Sequence, residues 1–167
     1  MGVEIERKFL VDKSRFEAAA AGIAPVRMIQ GYMARTDRLT ARVRVAGRYA
    51  YLTLKGPITG LSRSEYEYEI PVSDAENMLA EFCGGVVEKS RYEIPFADHI
   101  WEVDVFEGAN AGLIVAEVEL ESEADKVELP DFVTEEVTGK RCYYNGALSE
   151  LPFSRWNGSR ECSPQHR

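Results

Sequence analysis

Apolar and polar residues alternate with period two through most of this chain, the pattern of half-buried strands. In the opening stretch GVEIERKFLV, Val3, Ile5, Arg7 and Phe9 take one side, and Glu4, Glu6 and Lys8 the other. The same reading predicts strands at Val3–Val11, Met28–Thr36, Leu39–Ala46, Tyr49–Lys55, Ser62–Val72, Val86–Ile94, His99–Phe106 and Leu113–Glu121. Gly47 and Arg48 predict a tight hairpin, and GPITG a longer turn before Leu61. Helical signals are fewer. DKSRFEAAAAG offers Asp12 or Ser14 as a cap and Gly22 as a stop. SDAENMLAEFCGG has Ser73 three residues before Glu76, a capping-box pattern. SEADKVEL predicts a short helix ending before Pro130. The expectation is an α+β chain, mainly β: about eight antiparallel strands and a few outer helices. Closing the sheet into a barrel removes its exposed edges.

Composition narrows this picture. With 167 residues, 45% hydrophobic and 29% charged, the chain buries a core without staples. The domain is expected over residues 1–155, with a polar, frayed tail over 156–167. A formal net charge of -8 argues against nonspecific binding to duplex nucleic acid. Cys83, Cys142 and Cys162 show no CxxC spacing, which reads as a reduced, cytoplasmic protein. Two histidines, His99 and His166, leave no His/Cys zinc pattern. No signal peptide precedes the first strand, and no apolar run is long enough to span a membrane. The expected assembly is a monomer or homodimer.

The charges then sort by strand. Arg42 and Arg44 share one face, Lys55 is in phase with Tyr51 and Thr53, and Lys89 aligns with Arg91. Arg63, Glu65, Glu67 and Glu69 form one row, Glu102 and Asp104 another, and Glu117, Glu119 and Glu121 a third. For any single strand, a polar face turned to water accounts for this. Like charges two residues apart repel, however, and solvated faces usually mix signs. A row of arginines and lysines wants an anion. A row of glutamates wants a divalent cation of the hard Mg²⁺ or Mn²⁺ kind. If the faces turn inward, one cavity holds both, as a metal-chelating triphosphate requires. The opposite row (Ile5, Phe9, Val43, Val45, Leu52, Leu54, Val103, Val105, Val118, Leu120) is then covered by helices.

These residues resemble a known family. EIERK reads as an ExExK signature at Glu4, Glu6 and Lys8, and RVR, TLKGP, LSRSEYE, EKSRYEI, EVDVF, VAEVELESE and EVTG…YYN follow in order. The set is similar to the CYTH proteins, or triphosphate tunnel metalloenzymes, and its spacing looks most like the short bacterial members. The resemblance implies an eight-stranded antiparallel tunnel and divalent-metal-dependent hydrolysis of triphosphates. It implies Glu4, Glu6, Asp104, Glu117 and Glu119 as metal ligands. Lys8, Arg42, Arg44, Lys55, Arg63, Lys89 and Arg91 become phosphate contacts. Glu65, Glu67 or Glu119 would orient water, and Tyr32 in QGY would sit near Lys8, either as part of a base-like dyad or as a packed barrel residue with its hydroxyl satisfied.

One departure stands out. The family pattern Asp-x-Arg-Tyr-x-Asn meets KRCYYN here, with Cys142 where an arginine is expected. Either the backbone bulges so that Arg141 takes the place, or a contact is missing. The leading activity is hydrolysis of inorganic tripolyphosphate to pyrophosphate and phosphate. Hydrolysis of thiamine triphosphate or nucleoside triphosphates, a class IV-type adenylate cyclase, and a noncatalytic polyphosphate or nucleotide binder remain open. Outside the site, Arg7 reads as a surface salt bridge, and His99, Cys83, Trp101 and Trp156 as structural. FSRW reads as a segment packed over one tunnel mouth.

Overall fold

The computed structural model describes residues 2–156; the expected tail, from residue 157 on, lies outside the described residues. Its strands are β1 (Gly2–Val11), β2 (Val26–Arg35), β3 (Thr40–Ala46), β4 (Tyr49–Lys55), β5 (Ser62–Ile70), β6 (Val86–Phe96), β7 (His99–Phe106), β8 (Ile114–Glu119) and β9 (Val133–Glu136). The pairing order is β5-β4-β3-β2-β6-β7-β8-β1, and β1 returns to β5. All pairs are antiparallel, so the first eight strands close a barrel. Closure depends on β1, which lies against β8 through Glu6–Leu10 and against β5 through Gly2–Ile5. The unforeseen β9 adds to β1 at Phe9 and Val11. It is only four residues long, too short for its alternation to stand out.

Helices α1 (Lys13–Ala19) and α2 (Val72–Phe82) lie outside the barrel. The Asp12 side chain caps α1 by accepting from the Arg15 N–H. Under α1, Phe16 joins Phe9, Trp101, Val103, Val118 and Phe132 in one core. Under α2, Ala75 packs with Val43 and Ala50, and Met78 and Leu79 flank them. Leu52 and Leu54 depart from expectation: they are half-buried and belong to neither core. The Ser73 capping box does not form, because α2 begins at Val72 with Pro71 as its cap, leaving Ser73 inside the helix. Nor does SEADKVEL form a helix. The Asp125 carboxylate accepts from the Glu121 and Ser122 N–H groups and the Ser122 hydroxyl, closing a local turn. Such side-chain bonds compete with helix.

A third core plugs one end of the barrel. The inward rows turn from charged to apolar there: Leu10 follows Lys8, Phe106 follows Asp104, and Val87 and Val115 precede Lys89 and Glu117. Onto Val87, Phe106 and Val115 pack Val137, Tyr143 and Leu148 of the C-terminal segment, with Phe153 and Trp156 at the margin. The FSRW segment thus sits at the plugged end. That segment contains helix α3 (Asn145–Glu150) and a 3-10 turn over Arg141–Tyr143. Cys83 is a free, half-buried thiol. Arg7 makes the expected surface ion pair, to Glu136 at 2.8 Å. No described helix is long and apolar enough to cross a membrane.

Gly31 marks the tightest packing of β2 on α2. A Cβ there would stand 2.6 Å from Cys83 Sγ and 2.7 Å from its Cβ. Gly31→Ala is therefore expected to destabilise the fold by about 1–3 kcal/mol, measured by urea unfolding. An unchanged midpoint would show that α2 floats on the barrel.

Candidate functional site

The barrel encloses a cavity of about 720 Å³. Bordering it are Glu4, Glu6, Lys8, Tyr32, Arg42, Arg44, Lys55, Arg63, Glu65, Glu67, Lys89, Arg91, Glu117 and Glu119. The geometry therefore gathers every candidate from seven strands except Asp104, which does not line the wall. Asp104 was expected among the metal ligands. Instead it is buried behind the wall, with Oδ1 accepting from Arg91 Nε at 2.7 Å and Oδ2 from Arg91 Nη2 at 2.8 Å and Lys89 Nζ at 2.6 Å. With both oxygens held by two cations, it anchors them.

Most interior charges pair across strands. Lys8 meets Glu117 at 2.9 Å. Lys55 meets Glu4 at 2.8 Å and Glu65 at 3.0 Å, and Arg63 meets Glu4 at 2.9 Å. These pairings set the titration behaviour. Burial alone would raise Glu4, but Lys55 and Arg63 outweigh it and lower its pKa to about 2. Glu117 is likewise driven well below the usual range by Lys8 and Arg91 against the effect of burial. Burial would lower Lys8, yet Glu117 and Glu6 raise it, so it stays charged.

Two places break this pairing. Among the described residues Arg44 has no ion-pair partner; its side chain hydrogen-bonds Met28 Sδ at 3.7 Å, and its Nε is buried without a hydrogen-bond partner. Burial, then Arg42 and Arg91, push its pKa down to about 10. Beside it, Arg42 also has a partnerless buried Nε and reaches Glu67 only at 3.5 Å. Lys89 is pushed to about 7 by burial, with Arg91 and Arg44 opposing the pull of Asp104. This end of the cavity is short of negative charge.

The opposite imbalance surrounds Glu6. It faces Glu119 directly across strands, where like charges repel. Burial, then Glu117 and Glu4, raise its pKa to about 7. Glu119 is raised by burial, Glu4 and Glu65. Hard oxygens in a mutually repulsive set fit a divalent cation in kind. They are not already gathered: no cluster of three or more metal-ligating side chains occurs among the described residues, because Glu4 and Glu117 are tied to lysines and an arginine.

The Lys8–Tyr32 pair does not form. Lys8 contacts Glu117 and lies 4.8 Å from the centroid of the Tyr144 ring, while the Tyr32 hydroxyl accepts from Gln30 Nε2 at 2.9 Å. The alternative at Cys142 is resolved by local backbone. The 3-10 turn breaks the strand alternation, so Arg141 borders the cavity and Cys142 packs toward the plug. Sequence reading also passed over Arg35, Glu102, Tyr144 and Asn145, all on the wall. Glu102 had a signal, being in phase with Asp104. Arg35 had none, since a register shift between Tyr32 and Ala34 turns it inward.

The sequence matches the CYTH domain over residues 2–149. It is 43% identical over 157 residues to an inorganic triphosphatase of Acetivibrio thermocellus, covering 93% of this chain and 99% of that protein. It is 40% identical over 150 residues to an inorganic triphosphatase of Nitrosomonas europaea, covering 87% and 96%. A crystal structure of an inorganic triphosphatase superposes with a TM-score of 0.61 at 37% identity, over 87% of this chain and 97% of that one. The polar tunnel and its ordered charges are accordingly those of a triphosphate tunnel fold, and the chain belongs to the CYTH family, whose members are metal-dependent.

Proposed function

We propose that this protein is a metal-dependent inorganic triphosphatase, hydrolysing tripolyphosphate to pyrophosphate and phosphate. The observation that carries this reading is Arg44, a cation in the barrel wall with no anionic partner. Such a group wants an anion. Arg42, Lys89 and Arg91 beside it extend the demand to more than one phosphoryl group. Charge-assisted bonds from such groups are worth roughly 1.5–3 kcal/mol each, so a triphosphate that engages several outcompetes shorter phosphates. The names of the relatives support the same substrate. Residues 1–155 are taken as the functional domain, cytoplasmic, acting as a monomer or homodimer.

In this mechanism Arg42, Arg44, Lys89 and Arg91 hold the phosphoryl oxygens and neutralise charge that grows in the transition state. Lys55 and Arg63 are the exchangeable contacts. Glu4 holds both, and phosphate that takes them would release Glu4 beside Glu6. Glu4, Glu6, Glu117 and Glu119 would then hold Mg²⁺ or Mn²⁺, which supplies Lewis-acid neutralisation of phosphoryl oxygens. Lys8 stays protonated and binds phosphate, so the base role falls away from it. Tyr32, whose hydroxyl accepts from Gln30, offers its O–H as a hydrogen-bond donor to a phosphoryl oxygen. Glu67, which accepts from Thr53 Oγ1 at 2.8 Å, or Glu65 orients the attacking water.

A phosphate-release assay with Mg²⁺ or Mn²⁺ is expected to show tripolyphosphate hydrolysed faster than ATP or thiamine triphosphate. Negligible turnover of tripolyphosphate with either metal rules the proposal out. Arg44→Ala is expected to lower kcat/KM by about 10²–10³-fold, the scale of losing one charge-stabilising donor; a change of only a few-fold would place Arg44 outside the reaction. Glu6 gives a stability test. Its folded pKa, about 7, lies above the ordinary 4.5, so ionising it costs stability. That cost is absent below about 4.5, grows as pH rises, and is complete above about 7. In EDTA, Glu6→Gln should therefore raise Tm at pH 8 and leave it nearly unchanged at pH 4.5. A variant no more stable than the parent at pH 8 would contradict the assigned repulsion.

A further inference from the structure

Two consecutive residues of the C-terminal segment each grip one of the two most buried lysines of the cavity. The Lys8 ammonium lies 4.8 Å from the centroid of the Tyr144 ring, within cation–π range. The Tyr144 hydroxyl is itself fixed, accepting from the Gly139 N–H at 3.2 Å. Asn145 Oδ1 accepts from Lys89 Nζ at 3.1 Å. Lys8 and Lys89 are 2% and 1% exposed, and each has one carboxylate partner, Glu117 and Asp104 respectively. A lysine ammonium has three protons to donate. With the carboxylate and the C-terminal residue each occupying one side, what remains of each ammonium is confined toward the cavity.

The segment is itself held in place from the barrel. Arg35 Nη1 donates to the Gly146 carbonyl at 2.7 Å and pairs with Glu150 at 2.9 Å. The guanidinium lies close over Gly146, where a Cβ would stand 2.5 Å from Arg35 Nε and push that side chain aside. Tyr144 and Asn145 are thus presented from an anchored backbone.

We propose that Tyr144 and Asn145 are positioning residues that aim Lys8 and Lys89 at the substrate, so that the barrel acquires a competent anion site only with its C-terminal segment docked. This rests on the triphosphatase reading. The lysines sit on rigid strands, but each ends in four rotatable bonds. Displacing a charged end group by about 1 Å can cost 10²-fold in rate.

The test compares variants that remove each contact with variants that keep it. Tyr144→Leu and Asn145→Ser are expected to lower kcat/KM for tripolyphosphate by about 10–100-fold. Tyr144→Phe, which keeps the ring face, and Asn145→Asp, which keeps an acceptor oxygen, should stay within about threefold of the parent. In a Lys8→Met background, Tyr144→Leu should have little further effect, since its lysine is gone. Equal damage from Tyr144→Phe and Tyr144→Leu, or losses that add to that of Lys8→Met, would overturn the proposal. Should Tyr144→Leu not fold, as judged by circular dichroism, Asn145→Ser against Asn145→Asp decides alone. Calorimetric binding of tripolyphosphate in EDTA separates the two readings. If the parent binds in EDTA but does not hydrolyse tripolyphosphate when Mg²⁺ or Mn²⁺ is supplied, the triphosphatase reading fails. Weakened binding by Asn145→Ser with recovery in Asn145→Asp then still supports positioning, and unchanged binding refutes it.

Discussion

Burying a charge costs several kcal/mol unless an opposite charge lies against it, and this barrel closes around more than a dozen charged side chains. The cost is met by register. Glu4 faces Arg63, Lys8 faces Glu117, Lys55 faces Glu65 and Arg91 faces Asp104, each as direct cross-strand partners. Strand pairing and charge pairing are therefore one event. A slip of one residue would turn every interior charge outward and every core residue inward, so the register that buries Phe9 and Val118 is the one that neutralises Lys8.

The exceptions to that rule define the site. Arg42 and Arg44 face Thr53 and Tyr51 on one side and Tyr32 and Gln30 on the other, with no carboxylate opposite either. Glu6 faces Glu119. One pole has surplus positive charge and the other surplus negative charge, and the strongest shifts without a compensating partner, those of Arg44 and Glu6, lie at these poles. The paired residues between them keep the barrel stable enough to carry the two unmet demands. A fully paired interior would be a more stable protein with nothing to bind.

Much of this was legible in the sequence because β-alternation has a period of two, and a charged row on one face is visible by counting. Eight strands, the single-signed rows and the place on the wall of every candidate except Asp104 followed from it. What counting missed lies where the period breaks. The shift between Tyr32 and Ala34 moved Arg35 inside. The Asp125 turn replaced a helix. Asp104 kept its phase but lost its expected role, because phase gives the direction of a side chain and not its partner. The apolar plug was missed for a related reason. The inward rows of β1, β6, β7 and β8 each end in one apolar residue, which reads as noise on a single strand and as a core only when four strands and the C-terminal segment meet.

The same break in period explains the segment that looked defective. In extended chain, Cys142 would point where an arginine is wanted and Arg141 away from it. A 3-10 turn advances 120° per residue rather than 180°, so adjacent side chains no longer oppose each other. Across Arg141–Tyr143 this lets Arg141 border the cavity while Cys142 and Tyr143 both turn to the plug. The chain then enters α3 with Tyr144 and Asn145 on the wall and Leu148 in the plug core. One short segment thus supplies apolar contacts to one end of the barrel and polar contacts to its cavity. Only a departure from strand geometry allows both within eight residues.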